Sequence, residues 1–137
     1  MRAAEVMTRQ LVTVKPKDTV AEAIGRLYDN DIRHLPVVDH GRLVGMLSDR
    51  DLRPIPIATL EQLEGQTDPE QALDRRRVAD IMSGDLVSVD PDTDIDEIIT
   101  IMIEQKVGAV PVVDLHTDKL IGIVSYVDVL RAAIGKL

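Results

Sequence analysis

The hydrophobic pattern changes period along the chain, and it does so in the same order in both halves. Val20, Ala23, Ile24, Leu27 and Tyr28 stand at i, i+3, i+4, i+7 and i+8, as do Ile95, Ile98, Ile99, Met102 and Ile103. That spacing puts each set on one face of an amphipathic helix. Thr19 with Glu22 has the form of a capping box before the first helix, and Asp94 with Glu97 stands at the equivalent place before the second. Each helix is followed by two short β-branched runs, Leu35–Val38 with Leu43–Leu47 and Val110–Val113 with Lys119–Val124. Separated by polar turns, these predict two hairpins. The pattern turns helical again from Ser48 and from Ser125, the latter over Tyr126–Leu137 with an apolar stripe of Leu130, Ala133, Ile134 and Leu137.

The two halves are an internal repeat. Val6-Met7 recurs as Ile81-Met82, Leu11–Pro16 as Leu86–Pro91, and Leu35–Asp39 as Val110–Asp114, all at an offset of 75 residues. The offset becomes 77 where Gly45–Asp51 matches Gly122–Asp128, so two residues are inserted in the turn around Leu115–Asp118. Each copy is a strand (Leu11–Pro16 or Leu86–Pro91), a helix, a hairpin and a following helix in about 50 residues, too few to bury its own helix faces well. The expectation is therefore an α/β (α+β) pair packed with a pseudo-two-fold and sharing one core. Residues 1–53 form the first repeat and 78–137 the second, with its C-terminal helix. Residues 54–77, with Pro54, Pro56, Gly65 and Pro69, read as a linker holding short helices.

The ordered set of motifs resembles a tandem pair of CBS (cystathionine β-synthase) domains, the Bateman module. It is carried by Val6-Met7 and Asp80-Ile81-Met82, by the Pro-Val-Val-Asp strands at Pro36–Asp39 and Pro111–Asp114, and by the Gly-x-x-Ser-x-x-Asp endings at Gly45–Asp51 and Gly122–Asp128. The run Ile32–Asp39 with Ser48–Arg53 is similar to small stand-alone bacterial CBS proteins of the acetoin-utilisation type. The resemblance implies two βαββα units, clefts between them for an adenosyl ligand (AMP, ADP, ATP or S-adenosylmethionine), assembly as a homodimer, and regulation of a partner enzyme or transporter without enzymatic activity. It also implies base contacts from Val12, Thr13, Ile32, His34, Val87, Ser88, Val107 and Ala109, beside Pro36 and Pro111 of the hairpin strands.

The residues themselves leave two readings of the Ser48-x-x-Asp51 and Ser125-x-x-Asp128 turns. A strand end followed by a helix start favours an anion, and a carboxylate one turn in suits the vicinal hydroxyls of a ribose. Ser with an acidic residue three positions on is equally a plain capping box. The copies differ at the phosphate end: the first has Arg33, His34 and Arg50, where the second has Gly108, Ala109 and Val127. Two guanidinium groups suit a phosphate, and the small Gly108 and Ala109 leave room for a flat ring. Alternatively, the arginines pair with Asp31, Asp49 or Asp51, and His34 is structural.

Composition narrows the classes. A net charge of −8 and an aromatic content of 1% argue against nucleic acid as a partner. No apolar run has the length of a membrane span, and the absence of cysteine removes thiolate chemistry and favours the cytoplasm. Asp90–Asp96 imitates the start of a calcium loop but has Ile95 where glycine is needed and Ile101 where glutamate is needed. His34, His40 and His116 have no zinc-ligand spacing, and no phosphate-binding loop or nucleophile motif is present, so no metal or catalytic residue is expected. Arg75-Arg76-Arg77 reads as the solvated end of the linker.

Overall fold

Local sequence rules account for most elements of the computed structural model, which describes residues 1–52, 75–84 and 86–136. Apart from the helical Arg75, the predicted linker helices lie outside these residues, as does Leu137. Elements run α1 (Ala3–Val6), α2 (Val20–Asp29), β1 (His34–Asp39), β2 (Arg42–Ser48), α3 (Asp49–Leu52), α4 (Val78–Ile81), α5 (Ile95–Gln105), β3 (Ala109–Val113), β4 (Leu120–Ser125) and α6 (Tyr126–Ala133). Thr19 Oγ1 caps α2 by accepting from Glu22 N at 3.1 Å. Asp94 caps α5 one residue earlier than expected, accepting from Asp96 N at 2.9 Å. α6 stops at Ala133, four residues short of the prediction, because Gly135 takes a left-handed conformation (φ 80°) that ends the helix.

The hairpins differ in their turns. His40 and Gly41 both have positive φ (52° and 82°), which matches a two-residue turn to the strand twist. β3 and β4 pair antiparallel from Ala109↔Ser125 to Val112↔Gly122, with a register shift between Val112 and Val113. The inserted residues there are held by Asp114, whose Oδ1 accepts from His116 N (2.8 Å) and Thr117 N (3.0 Å). These two bonds hold the Asp114 carboxyl below the usual carboxylate range.

The expected first strand of each copy is reduced to one parallel bridge, Val14 with Val37 and Val89 with Val112. Val14 N donates to Pro36 O and Val38 N to Val14 O, and the Val89 bridge has the same form on Pro111 and Val113. The ladder cannot lengthen, because Pro16 and Pro91 follow within two residues and Pro36 and Pro111 offer no N–H.

The chain divides into two compact units that cut across the linear repeats. One comprises residues 1–11, 41–43 and 87–137, the other residues 12–40 and 44–86. In the first, α1 docks on the turn before α5 through Ala3 N to Thr93 O and Ala4 N to Pro91 O, and Thr8 pairs with Ile123 in both directions (2.8 and 3.1 Å). In the second, α4 makes the same bonds one repeat away, Val78 N to Asp18 O and Ala79 N to Pro16 O, while Ser83 pairs with Met46 (2.9 and 3.0 Å). Each hairpin is thus completed by a lead-in segment from the other linear copy.

That exchange corrects the expectation of one shared core. Among the described residues the buried core falls into two clusters, Ala3, Met7, Val89, Ile98, Val110, Val112 and Val124 in one and Val14, Ala23, Leu27, Leu35, Val37, Leu47 and Val78 in the other. Ala3 and Val78 are each wholly buried in the cluster that their lead-in helix completes. The motif glycines make room for this: a Cβ on Gly45 would sit 2.5 Å from Met82 Sδ, and one on Gly122 2.9 Å from Met7 Cγ.

Candidate functional site

Both Ser-x-x-Asp turns form the capping box. Ser48 N donates to Asp51 Oδ2 at 2.8 Å, Ser48 Oγ donates to the same oxygen at 3.1 Å, and Asp51 N donates back to Ser48 Oγ at 3.3 Å. The corresponding distances for Ser125 and Asp128 are 2.9, 3.1 and 3.3 Å. The residues before each hairpin are tied to these turns, Asp49 N donating to Arg33 O and Tyr126 N to Gly108 O, each at 2.9 Å. Arg33 and His34 are therefore fixed beside Ser48–Asp51, and Gly108 and Ala109 beside Ser125–Asp128.

The first turn is the charged one. His34 is half-buried, and burial pushes its pKa below the ordinary imidazole value; the Asp49 and Asp51 carboxylates oppose the shift without cancelling it, and Arg33 and Arg50 add to it. The imidazole is accordingly neutral near pH 7. Arg33 and Arg50 are exposed, and among the described residues neither makes an ion pair. Alongside lies an open cleft of about 420 Å³ lined by Ile24, Leu27, Tyr28, Asp31, Ile32, Arg33, Asp49 and Leu52.

The other predicted contact residues separate by exposure. Val12 and Ile32 are half-buried against the second cluster, and Thr13 gives its carbonyl to Arg26 Nη1 at 2.9 Å. Arg26 also binds Asp18 at 2.9 Å. Burial works to raise the Asp18 pKa, but Lys15 N–H and the Arg26 guanidinium outweigh it and hold the carboxyl below its usual range. Val87, Ser88 and Val107 are exposed, Gly108 is half-buried and Ala109 is buried. Pro36 and Pro111 are wholly buried and give their carbonyls to Val14 and Val89, so their rings serve the core. Asp90 and Asp94 spend their carboxylates on backbone N–H groups of their own turns, and no metal-holding cluster of side chains occurs among the described residues.

One contact was not anticipated from the motifs. Thr8 Oγ1 donates to Asp128, 3.0 Å from Oδ1 and 3.3 Å from Oδ2. The signal was available only as the match of Thr8 to Ser83 in the repeat, which does not reveal a bond.

The sequence profile of the CBS domain matches residues 3–55 and 78–135. The chain belongs to the CBS-domain family. Two relatives of this CBS pair are a CBS domain-containing protein, YhcV, of Bacillus subtilis, 33% identical over 90% of this chain and 79% of its own, and an inosine-5'-monophosphate dehydrogenase of Methanocaldococcus jannaschii, 33% identical over 95% of this chain. The CBS pair spans only 23% of that dehydrogenase and 45% of a second protein from the same archaeon. Among solved structures, CBSX2 in complex with AMP has a TM-score of 0.80 at 32% identity, covering 97% of this chain and 96% of its own. The CBS pair of MJ0100 with 5'-methylthioadenosine and S-adenosyl-L-methionine has a TM-score of 0.76 at 25% identity, covering 100% and 98%. A Vibrio cholerae protein assigned to acetoin utilization (AcuB) has a TM-score of 0.79 at 28% identity, covering 99% and 92%. The chain therefore has the α+β fold of a CBS pair, and no helix among its described residues is long and apolar enough to cross a membrane.

Proposed function

We propose that this CBS pair is a non-enzymatic, cytoplasmic regulatory module that binds an adenosyl ligand, AMP, ADP, ATP or S-adenosylmethionine, at its Ser-x-x-Asp turns. The observation that carries the reading is the half-buried Asp51 carboxylate, placed for ribose hydroxyls within a turn that also presents Arg33, Arg50 and a neutral His34. The Arg33 and Arg50 guanidinium groups, exposed beside the turn, suit a phosphate, bidentately where the geometry allows. The AMP of CBSX2 and the S-adenosyl-L-methionine of MJ0100 support the ligand class. Binding stabilises the folded state by linkage, about 2.7 kcal/mol at a hundredfold excess over Kd.

Titration calorimetry with the four ligands tests it. Saturable binding is expected, abolished in Asp51→Ala/Asp128→Ala; silence at millimolar ligand, or binding indifferent to the double substitution, refutes it. A second reading, a ligand-free homodimerisation scaffold for a partner enzyme or transporter, rests on the apolar side chains left in solvent on α6 and at its C-cap, Leu130 and Ile134 at 62% and 78% exposed. Nucleotide carried through purification, seen as excess absorbance at 260 nm, separates the two.

A further inference from the structure

The two Ser-x-x-Asp turns match in sequence and in capping geometry, yet their carboxylates are not chemically alike. Asp51 uses one oxygen: Oδ2 accepts from Ser48 N and Ser48 Oγ, and among the described residues Oδ1 accepts nothing. Asp128 uses both. Oδ2 takes the same two Ser125 donors, Oδ1 takes the Thr8 hydroxyl at 3.0 Å, and the Arg131 guanidinium stands 4.0 Å from Oδ1. The Asp128 side chain is 7% exposed, whereas Asp51 is half-buried. A carboxylate has about four acceptor positions, and a ribose diol needs two of them facing the ligand. Asp51 has two left on Oδ1; Asp128, with Thr8 on its Oδ1, has one.

The asymmetry comes from the lead-in segments. Thr8 is held over Asp128 by its backbone pair with Ile123 (2.8 and 3.1 Å). Its counterpart Ser83 pairs with Met46 in the same way, yet it makes no hydroxyl bond to Asp51 and remains exposed. Threonine's branched Cβ narrows its χ1 choices and favours this placement, whereas serine has more staggered rotamers open to it. Charge agrees with this assignment, since Arg33, His34 and Arg50 flank the open carboxylate and Gly108, Ala109 and Val127 the closed one.

We infer that Thr8 closes the second turn, so that the chain takes its ligand at Asp51 alone, one equivalent per chain. This rests on the adenosyl reading above and specifies which half of it operates.

AMP titration of the full chain by calorimetry, with circular dichroism to establish that each variant folds, tests the inference. Wild type should bind one equivalent. Asp51→Asn should weaken binding about 10–150-fold, the loss of one hydrogen-bond set to a charged group. Thr8→Val, which frees Oδ1 of Asp128, should gain a second equivalent, and Thr8→Val/Asp128→Asn should lose that gain. Two equivalents in wild type, one equivalent retained at full affinity in Asp51→Asn, or a folded Thr8→Val that stays at one would each overturn the inference while leaving the adenosyl reading intact. The first two of these need no change at Thr8, so a Thr8→Val chain that fails to fold leaves them decisive. No AMP binding by wild type overturns the inference outright, and only silence with ADP, ATP and S-adenosylmethionine as well removes the adenosyl reading.

Discussion

Replacing Gly122 by alanine should destabilise the protein through a single side chain, Met7. A Cβ at Gly122 would run into Met7 Sδ and lie 2.9 Å from its Cγ and 3.2 Å from its Cβ. Contacts that near the root of the side chain cannot be cleared by swinging its end. The backbone is also held, by Met7 N to Ala3 O (2.8 Å) and by the Thr8–Ile123 pair. Overpacking of this kind costs about 1–3 kcal/mol, and the restricted unfolded chain returns about 0.4–1 kcal/mol. The expected net loss is therefore about 1–2 kcal/mol. Met7→Ala, at a site 9% exposed, should cost about 2–5 kcal/mol by leaving a cavity. In the double variant the new methyl occupies part of that cavity without a clash, so the losses should fall short of additivity by at least about 1 kcal/mol. Urea unfolding of the four proteins at constant m measures this. Additivity within about 0.5 kcal/mol would show that Met7 is not what makes Gly122 necessary.

Three further outcomes follow from the same structure. A fragment of residues 12–86, which holds one whole unit together with residues 41–43 of the other, should give a cooperative thermal transition, whereas residues 1–53, lacking Val78 and the Met46–Ser83 pair, should not; equal behaviour would mean that the exchanged segments are dispensable. His34 has its pKa depressed by burial, so the unfolded state binds the extra proton first. Stability should be full above about pH 6.5, the unfolded value, and should decline as pH falls from there toward the folded pKa. His34→Gln should flatten that limb, and an unaltered limb would count against the assignment. Ile98→Ala and Leu47→Ala, at wholly buried sites of separate clusters, should each cost about 2–5 kcal/mol, and their effects should add.

The repeat carried most of the architecture into view. Its helix faces, hairpins and caps all obey local rules, so Val20–Asp29, the His40-Gly41 turn and the Ser125–Asp128 box sit where propensity and spacing put them. What periodicity does not encode is the partner of a four-residue helix. Nothing in Ala3–Val6 distinguishes docking on Pro16–Asp18 from docking on Pro91–Thr93, and the structure takes the second. The single expected core failed for that reason. The candidate site divides in the same way: its turns were visible as motifs, but the closure of Asp128 depends on Thr8, 120 residues away. The rings of Pro36 and Pro111 are committed to the core because their strands are buried, which a motif position does not reveal.

The exchanged lead-in segments also set an order of events during synthesis. Residues 12–86 contain the whole of one unit, so that unit can close while the ribosome is still making the rest. Residues 1–11 have no such option. Ala3 must wait for Thr93 and Thr8 for Ile123, contacts of high sequence separation whose loop-closure entropy slows folding. Residues 1–11 are thus made before residues 12–86 yet settle after them, and the hydroxyl that closes Asp128 finds its place only once Ile123 has been made.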